Sequence, residues 1–204
     1  LSAAFKAGAA ESTRSVAFAA PTDGAMEWAL PAGRFFRQTG GNEGGFAVTD
    51  DGQARFWSEF RRLGGVQSLG YPISRRFNRD GFVMQAFQKA ILQWRPDEGR
   101  AVLINVFDEL SRAGKDGELA DRFQTPAPLP EGWDGALSFR EVVARRQALL
   151  DANQALKRHY FSVADPLTFF GLPTSEVSDQ GSHYAIRLQR AVLQQWKTDV
   201  PWAR

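Results

Sequence analysis

The chain has no cysteine, two histidines and two methionines in 204 residues. Without cysteine it can form neither a disulfide scaffold nor a thiolate metal site. His159 and His183 are too few for a histidine-rich ligand set. Ser182 and His183 are neighbours, so along a strand they point to opposite faces and do not form a hydrogen-bonded pair; His183 reads as a loop or strand-edge residue. Lysine is scarce, at positions 6, 89, 115, 157 and 197 only, so arginine carries most of the positive charge. No apolar run approaches the ~18 residues of a membrane helix, and no transmembrane segment is expected. The glycine-rich stretch 33–45 lacks a Gly-Lys-Ser/Thr ending and reads as a loop rather than a phosphate cradle. No Gly-x-Ser-x-Gly is present, so no serine sits in a nucleophile elbow.

What the chain does have is a repeat. Gly65-Val-Gln-Ser-Leu-Gly70-Tyr-Pro-Ile-Ser74 returns as Pro166-Leu-Thr-Phe-Phe-Gly171-Leu-Pro-Thr-Ser175. Gln88-Lys-Ala-Ile-Leu-Gln-Trp94 returns as Gln189-Arg-Ala-Val-Leu-Gln-Gln-Trp196. Both blocks lie 101 positions apart, with one extra residue before the second tryptophan. A repeated unit built without repeated acids, histidines or thiols points to a binding or scaffolding module.

Coarse patterning places the repeat in a fold. A helix is expected from near Thr49-Asp50-Asp51, with Phe56, Trp57, Phe60 and Leu63 on one face and Gly64-Gly65 as its stop. Phe82–Phe87 and Ala90–Trp94 read as two strands joined at Gln88-Lys89. Residues 102–114 suit a strand or a helix, with helix favoured from about 104. Thr125–Pro130 reads as a semi-rigid proline linker. Ser138 and Glu141 form a capping box opening a helix whose buried face would be Phe139, Val142, Val143, Leu149 and Leu150. Asp151–Asn153 interrupts that helix before Leu156. Residues 1–20 read as mature sequence, with a short helix, a strand near Val16–Ala19 and a turn at Pro21–Gly24. The expected architecture is α+β, with two pseudo-symmetric lobes, each a helix packed on a small antiparallel hairpin or sheet, burying each other's open face. The first lobe covers 1–124, the linker 125–135 and the second lobe 136–204.

The residues Gly64-Gly65, Leu69-Gly-Tyr-Pro-Ile-Ser74, Asp80-Gly81 and Phe87-Gln-x-Ala-Ile-x-x-Trp94 together resemble the LGFP-type repeat. Lys89-Ala90 departs from that pattern, and the second copy has Asp165-Pro166 in place of the double glycine. The likeness covers about 64–94 and 165–196. As a whole the chain resembles secreted proteins of filamentous phototrophic and related bacteria that carry two such copies. The resemblance implies an extracellular or cell-envelope location and partners such as a cell-wall polymer or another envelope protein. It also implies a chain continuing past Val200–Ala203.

Each candidate residue has a plain reading beside a functional one. Asp50-Asp51 is half of a carboxylate pair or an N-cap. Asp108-Glu109 is a solvated helix face, and no acid–base pair can be assigned from spacing when carboxylates lie on different elements. Ser74 and Ser175 follow a proline by two residues, which suits turn hydroxyls. The structural motif is Gly70, Pro72 and Ser74, with Gly171, Pro173 and Ser175 in the second copy. Trp94 and Trp196 are core anchors or stacking platforms. Between 53 and 95 eight cations face two acids, a local charge of +6; between 157 and 198 five cations face three acids, +2. Tyr71, Arg75, Arg76, Arg79, Trp94 and Trp196 are therefore the candidate binding residues, with the arginines expected on an exposed face. A basic face suits a polyanion, but no nucleic-acid motif is present and none is expected as partner. No cofactor is implied. The leading expectation is a non-enzymatic docking module. A structural subunit that self-associates or joins a larger surface assembly, and a carboxylate-based wall hydrolase, stand as alternatives.

Overall fold

The structure, a computed structural model, describes residues 24–200, so the expected elements in 1–20 and the closing Trp202 lie outside the described residues. It is α+β, with helices and three small antiparallel sheets. No helix among the described residues is long and apolar enough to cross a membrane. The chain divides into two units, the first running to Ile104 and the second starting at Asn105.

In the first unit β1 (Glu27–Leu30), β2 (Gly33–Phe36) and β3 (Phe46–Thr49) form a three-stranded meander. The start of the glycine-rich stretch is thus a strand rather than a loop, paired from Gly33↔Thr49 to Phe36↔Phe46. Helices α1 (Phe56–Arg62) and α2 (Gly65–Leu69) follow, then the meander β4 (Phe77–Arg79), β5 (Phe82–Ala86), β6 (Ile91–Arg95) and β7 (Arg100–Leu103). Helix α1 begins later than Thr49–Asp51 because Asp50 bridges to Arg55 and Asp51 closes an Asx turn onto Gln53 and Ala54. Asp50 still caps the helix from upstream: its carboxylate accepts the Ser58 N–H at 3.0 Å and the Ser58 hydroxyl at 2.6 Å. Phe36, Phe60 and Phe87 form an aromatic chain through this unit, with centroid spacings of 5.9 and 5.2 Å.

The second unit contains α3 (Val106–Arg112), α4 (Asp116–Phe123), α5 (Phe139–Ala148), a 3-10 turn (Leu149–Ala152), α6 (Gln154–Tyr160) and α7 (Pro166–Phe169), then the meander β8 (Ser178–Asp179), β9 (His183–Arg187) and β10 (Val192–Trp196). Residues 102–114 contain the helix expected from about 104, which starts at Val106, preceded by the end of strand β7. The unit boundary falls ahead of the proline stretch, which sits inside the second unit: Leu129 N–H donates to the Thr174 carbonyl at 2.7 Å. Residues of the same unit pack on both faces of this sheet. Leu150, Leu156 and Tyr160 pack with Ile186, Leu188 and Leu193 on one side. On the other, Arg187 is buried at 1% exposure, and its guanidinium donates to Asp116, the Phe107 carbonyl and the Ser111 hydroxyl.

The capping box forms at the start of α5, with Ser138 and Glu141 exchanging hydrogen bonds. The expected apolar face of that helix does not hold. Phe139 is 75% exposed and no residue of α5 is fully buried. Core burial begins at Leu150, because the chain turns into the sheet there. Arg146 fixes α5 instead, forking onto Asp134 and reaching the Pro173 carbonyl.

The repeated motif is built twice with the same bonds. Gly70 and Gly171 have φ of 75° and 72°. A Cβ at either would lie 2.6 Å from the Cβ of Gln88 or Gln189. Each glutamine Oε1 accepts the N–H after the glycine, from Tyr71 at 2.9 Å and Leu172 at 3.0 Å. Ser74 and Ser175 accept the N–H of Ala86 and Arg187. Pro72 bridges Phe87 as Pro173 bridges Leu188. Lys89 Nζ caps the carbonyl of Gln67, and Arg190 that of Thr168, again 101 positions on. The helix starts differ in chemistry but not in place. Gly64-Gly65 enters α2 through two positive φ angles, while Asp165 caps α7 with Pro166 at its first position.

Two outcomes follow. Gly70→Val and Gly171→Val should each lower stability by roughly 1–3 kcal/mol in denaturant unfolding, since valine meets both a left-handed φ and the glutamine stem; unchanged midpoints would remove this account. The fork with Arg146 holds the Asp134 carboxyl below its ordinary range. Its contribution is complete above the ordinary carboxylate pKa and is lost as pH falls through the lower folded value. Melting of Asp134→Asn against wild type should therefore show a gap at pH 7 that narrows toward pH 3.

Candidate functional site

The arginines singled out from the sequence differ in their surroundings. Arg76 is an interior strut rather than a surface cation, with 11% of its side chain exposed. It stacks 5.1 Å over Phe56, pairs with Asp51 at 2.5 Å and donates to Thr49 and Ala54. Partial burial pushes the Asp51 carboxyl up, but the N–H groups of Ala54 and Gln53 and the adjacent Arg76 outweigh it and hold the carboxyl low. Arg75 lies 3.7 Å from Glu43 and Arg79 3.4 Å from Asp80, both on the surface. The +6 of the sequence is thus partly spent on structural pairs. Tyr71 is half-buried, edge-on to Phe36. Ser74 and Ser175 are consumed by backbone N–H groups.

The two tryptophans are not equivalent. Hairpin β5–β6 pairs Met84 with Gln93, and β9–β10 pairs Ala185 with Gln194, so the ladders keep the offset of 101 throughout. The extra residue is not absorbed in a bulge. Gln195 takes the place of Trp94, and Trp196 that of Arg95. Successive strand residues alternate faces, so the tryptophans point to opposite sides. Trp94 is buried against Phe56 of α1 at 6.4 Å, with Arg55 over its ring. Trp196 packs on His183, its cross-strand partner, at 4.6 Å.

His183 is buried, on the central strand of its sheet. Its Nδ1 lies 3.0 Å from the Ser182 hydroxyl and its Nε2 3.1 Å from the Gln194 amide. The alternation argument against a Ser182–His183 contact fails because Ser182 lies in the bend before β9. Among the described residues no cluster of three His, Asp or Glu is placed to hold a metal ion.

The displaced tryptophan leaves room. On the α6 side of β9–β10 a groove of about 640 Å³ is lined by Asn153, Gln154, Arg158, Asp179, Tyr184 and Gln195, with small side chains between. The Asn153 amide donates to Gln195 at 2.6 Å while its Oδ1 caps α6 through Ala155 and Leu156. Lys197 binds Asp179 at 2.7 Å and sits 4.7 Å above the Tyr184 ring. Hydrogen bonding from Lys197 holds the Asp179 carboxyl below its usual range, and that bond raises Lys197 in turn. None of these six residues stands out in the sequence. The one visible signal is the doubled Gln194-Gln195, whose effect depends on the strand register. No protein-family profile matches the chain, and no curated protein matches it.

The two kinds of arginine separate experimentally. Arg76→Gln should cost about 1–3 kcal/mol by leaving Asp51 and the Phe56 face without their partner. Arg75→Gln should stay within about 0.5 kcal/mol, as exposed pairs contribute little. Equal denaturation midpoints for the two variants would return Arg76 to the surface.

Proposed function

We propose that this protein is a non-enzymatic module that docks, through the groove of its second unit, to a polymer or partner protein of the cell envelope or extracellular space. The observation that carries this reading is the groove itself. Its volume falls within the range of ligand sites, and its lining is amide, carboxylate, cation and one part-exposed tyrosine. The repeated polar residues serve the frame, so recognition falls to positions where the copies differ. The resemblance to LGFP-type repeats supports the envelope setting.

The test is retention of the whole chain by insoluble envelope fragments. Gln195→Trp restores at the second copy the residue of the first, and should fill the groove. Tyr184→Ala removes its largest apolar surface. Both should reduce retention at least tenfold while melting as wild type. Wild-type retention by both variants overturns the groove as the docking site. A defined oligomer by solution mass, with no retention of wild type, favours instead the structural-subunit reading.

A further inference from the structure

The groove also carries information on what enters it. Among the described residues Arg158 is exposed on α6 with no ion-pair or hydrogen-bond partner, whereas Lys197 and Asp179 neutralise each other. The groove therefore offers one uncommitted positive charge. Tyr184 supplies one aromatic surface, 36% exposed. Asn153 spends one amide hydrogen on Gln195 and keeps a second, and Gln195 accepts through Oε1 while its own amide hydrogens remain available. Both Asp179 oxygens already accept, Oδ1 from Lys197 and the Gly181 N–H and Oδ2 from Lys197, and Oδ2 keeps a second lone pair for a further donor.

We infer that the groove binds an acidic saccharide, with a sugar ring against Tyr184, hydroxyls on the Asn153 and Gln195 amides and Asp179, and the sugar carboxylate on Arg158. This rests on the docking reading above and narrows it. A sugar is the class that combines a small apolar ring face with many hydroxyls, and the lining mirrors that mixture. Aromatic rings with a polar tip suit such half-wet contacts. A peptide would want an apolar pocket for an anchoring side chain, and the alkyl lining here consists of small groups such as Ala155 and Val177. A nucleic-acid backbone would want several cations along a track; the groove has one free. Arginine binds carboxylate through a planar fork, which gives the acid preference its geometry. In the first unit the corresponding space holds Trp94 against Phe56, so the site belongs to the second copy alone.

The experiment is calorimetric titration of the full chain with oligogalacturonate and with the same oligosaccharide methyl-esterified, which removes the charge and little else. Wild type should bind the acid at least tenfold more tightly than the ester. Arg158→Gln should lose about tenfold for the acid and change nothing for the ester. Tyr184→Ala should weaken both, with Tyr184→Phe restoring most of the loss. Equal binding of acid and ester, with Arg158→Gln silent, overturns the inference and leaves the docking reading standing. Binding of an acidic peptide in place of either saccharide does the same. Binding of neither saccharide, together with no retention on envelope fragments, sinks both.

Discussion

Each copy of the motif closes on one contact between a glutamine side chain and a glycine. Gln88 and Gln189 lie in the space a Cβ would need at Gly70 and Gly171, and accept the next N–H. The turn between short helix and strand is thereby tied to the hairpin loop it crosses. The serine two residues after each proline then takes a strand N–H, and the cation after each glutamine takes the carbonyls ending the short helix. Removing the glutamine would leave the following N–H without its partner and a left-handed glycine with nothing to hold it in register. Serine, proline and hairpin partners all presuppose that clasp.

This contact explains what was readable in the sequence. Gly70, Pro72, Ser74 and Gln88 are set by backbone geometry, which tolerates few residue types, so their recurrence 101 positions on is a sound guide to structure. Strands β5, β6, β9 and β10 and the Ser138–Glu141 cap are legible for the same reason, being local. Arg76 and Arg187 were not. A charged side chain gives no sign in sequence that aromatic rings, carbonyls and a carboxylate will close around it. The face of α5 misled in the opposite direction, since Phe139 has helical spacing but no partner surface. The groove was invisible because it results from register: one added glutamine turns an aromatic to the other side of a strand.

The copies share a frame and differ in what the frame presents. In the first, aromatic and guanidinium groups fill the space beside the sheet: Phe56, Trp94, Arg55 and Arg76. In the second, amides and a tyrosine line it and leave it open. Duplication of a frame held by backbone bonds permits this divergence, because the varied positions are not those that hold the turn.

The buried Arg187 bears on the order in which the second unit assembles. Its clasp at Gln189 and Leu172 joins residues 17 apart, whereas its bonds to Asp116 and Phe107 span 71 and 80 residues. Short closures form at smaller entropic cost than long ones. The hairpin is thus expected to form first, with α3 and α4 closing over the guanidinium last and opening first. Native-state hydrogen exchange would then protect β9 and β10 more than α3 and α4, and the arginine would be a late latch rather than a nucleus.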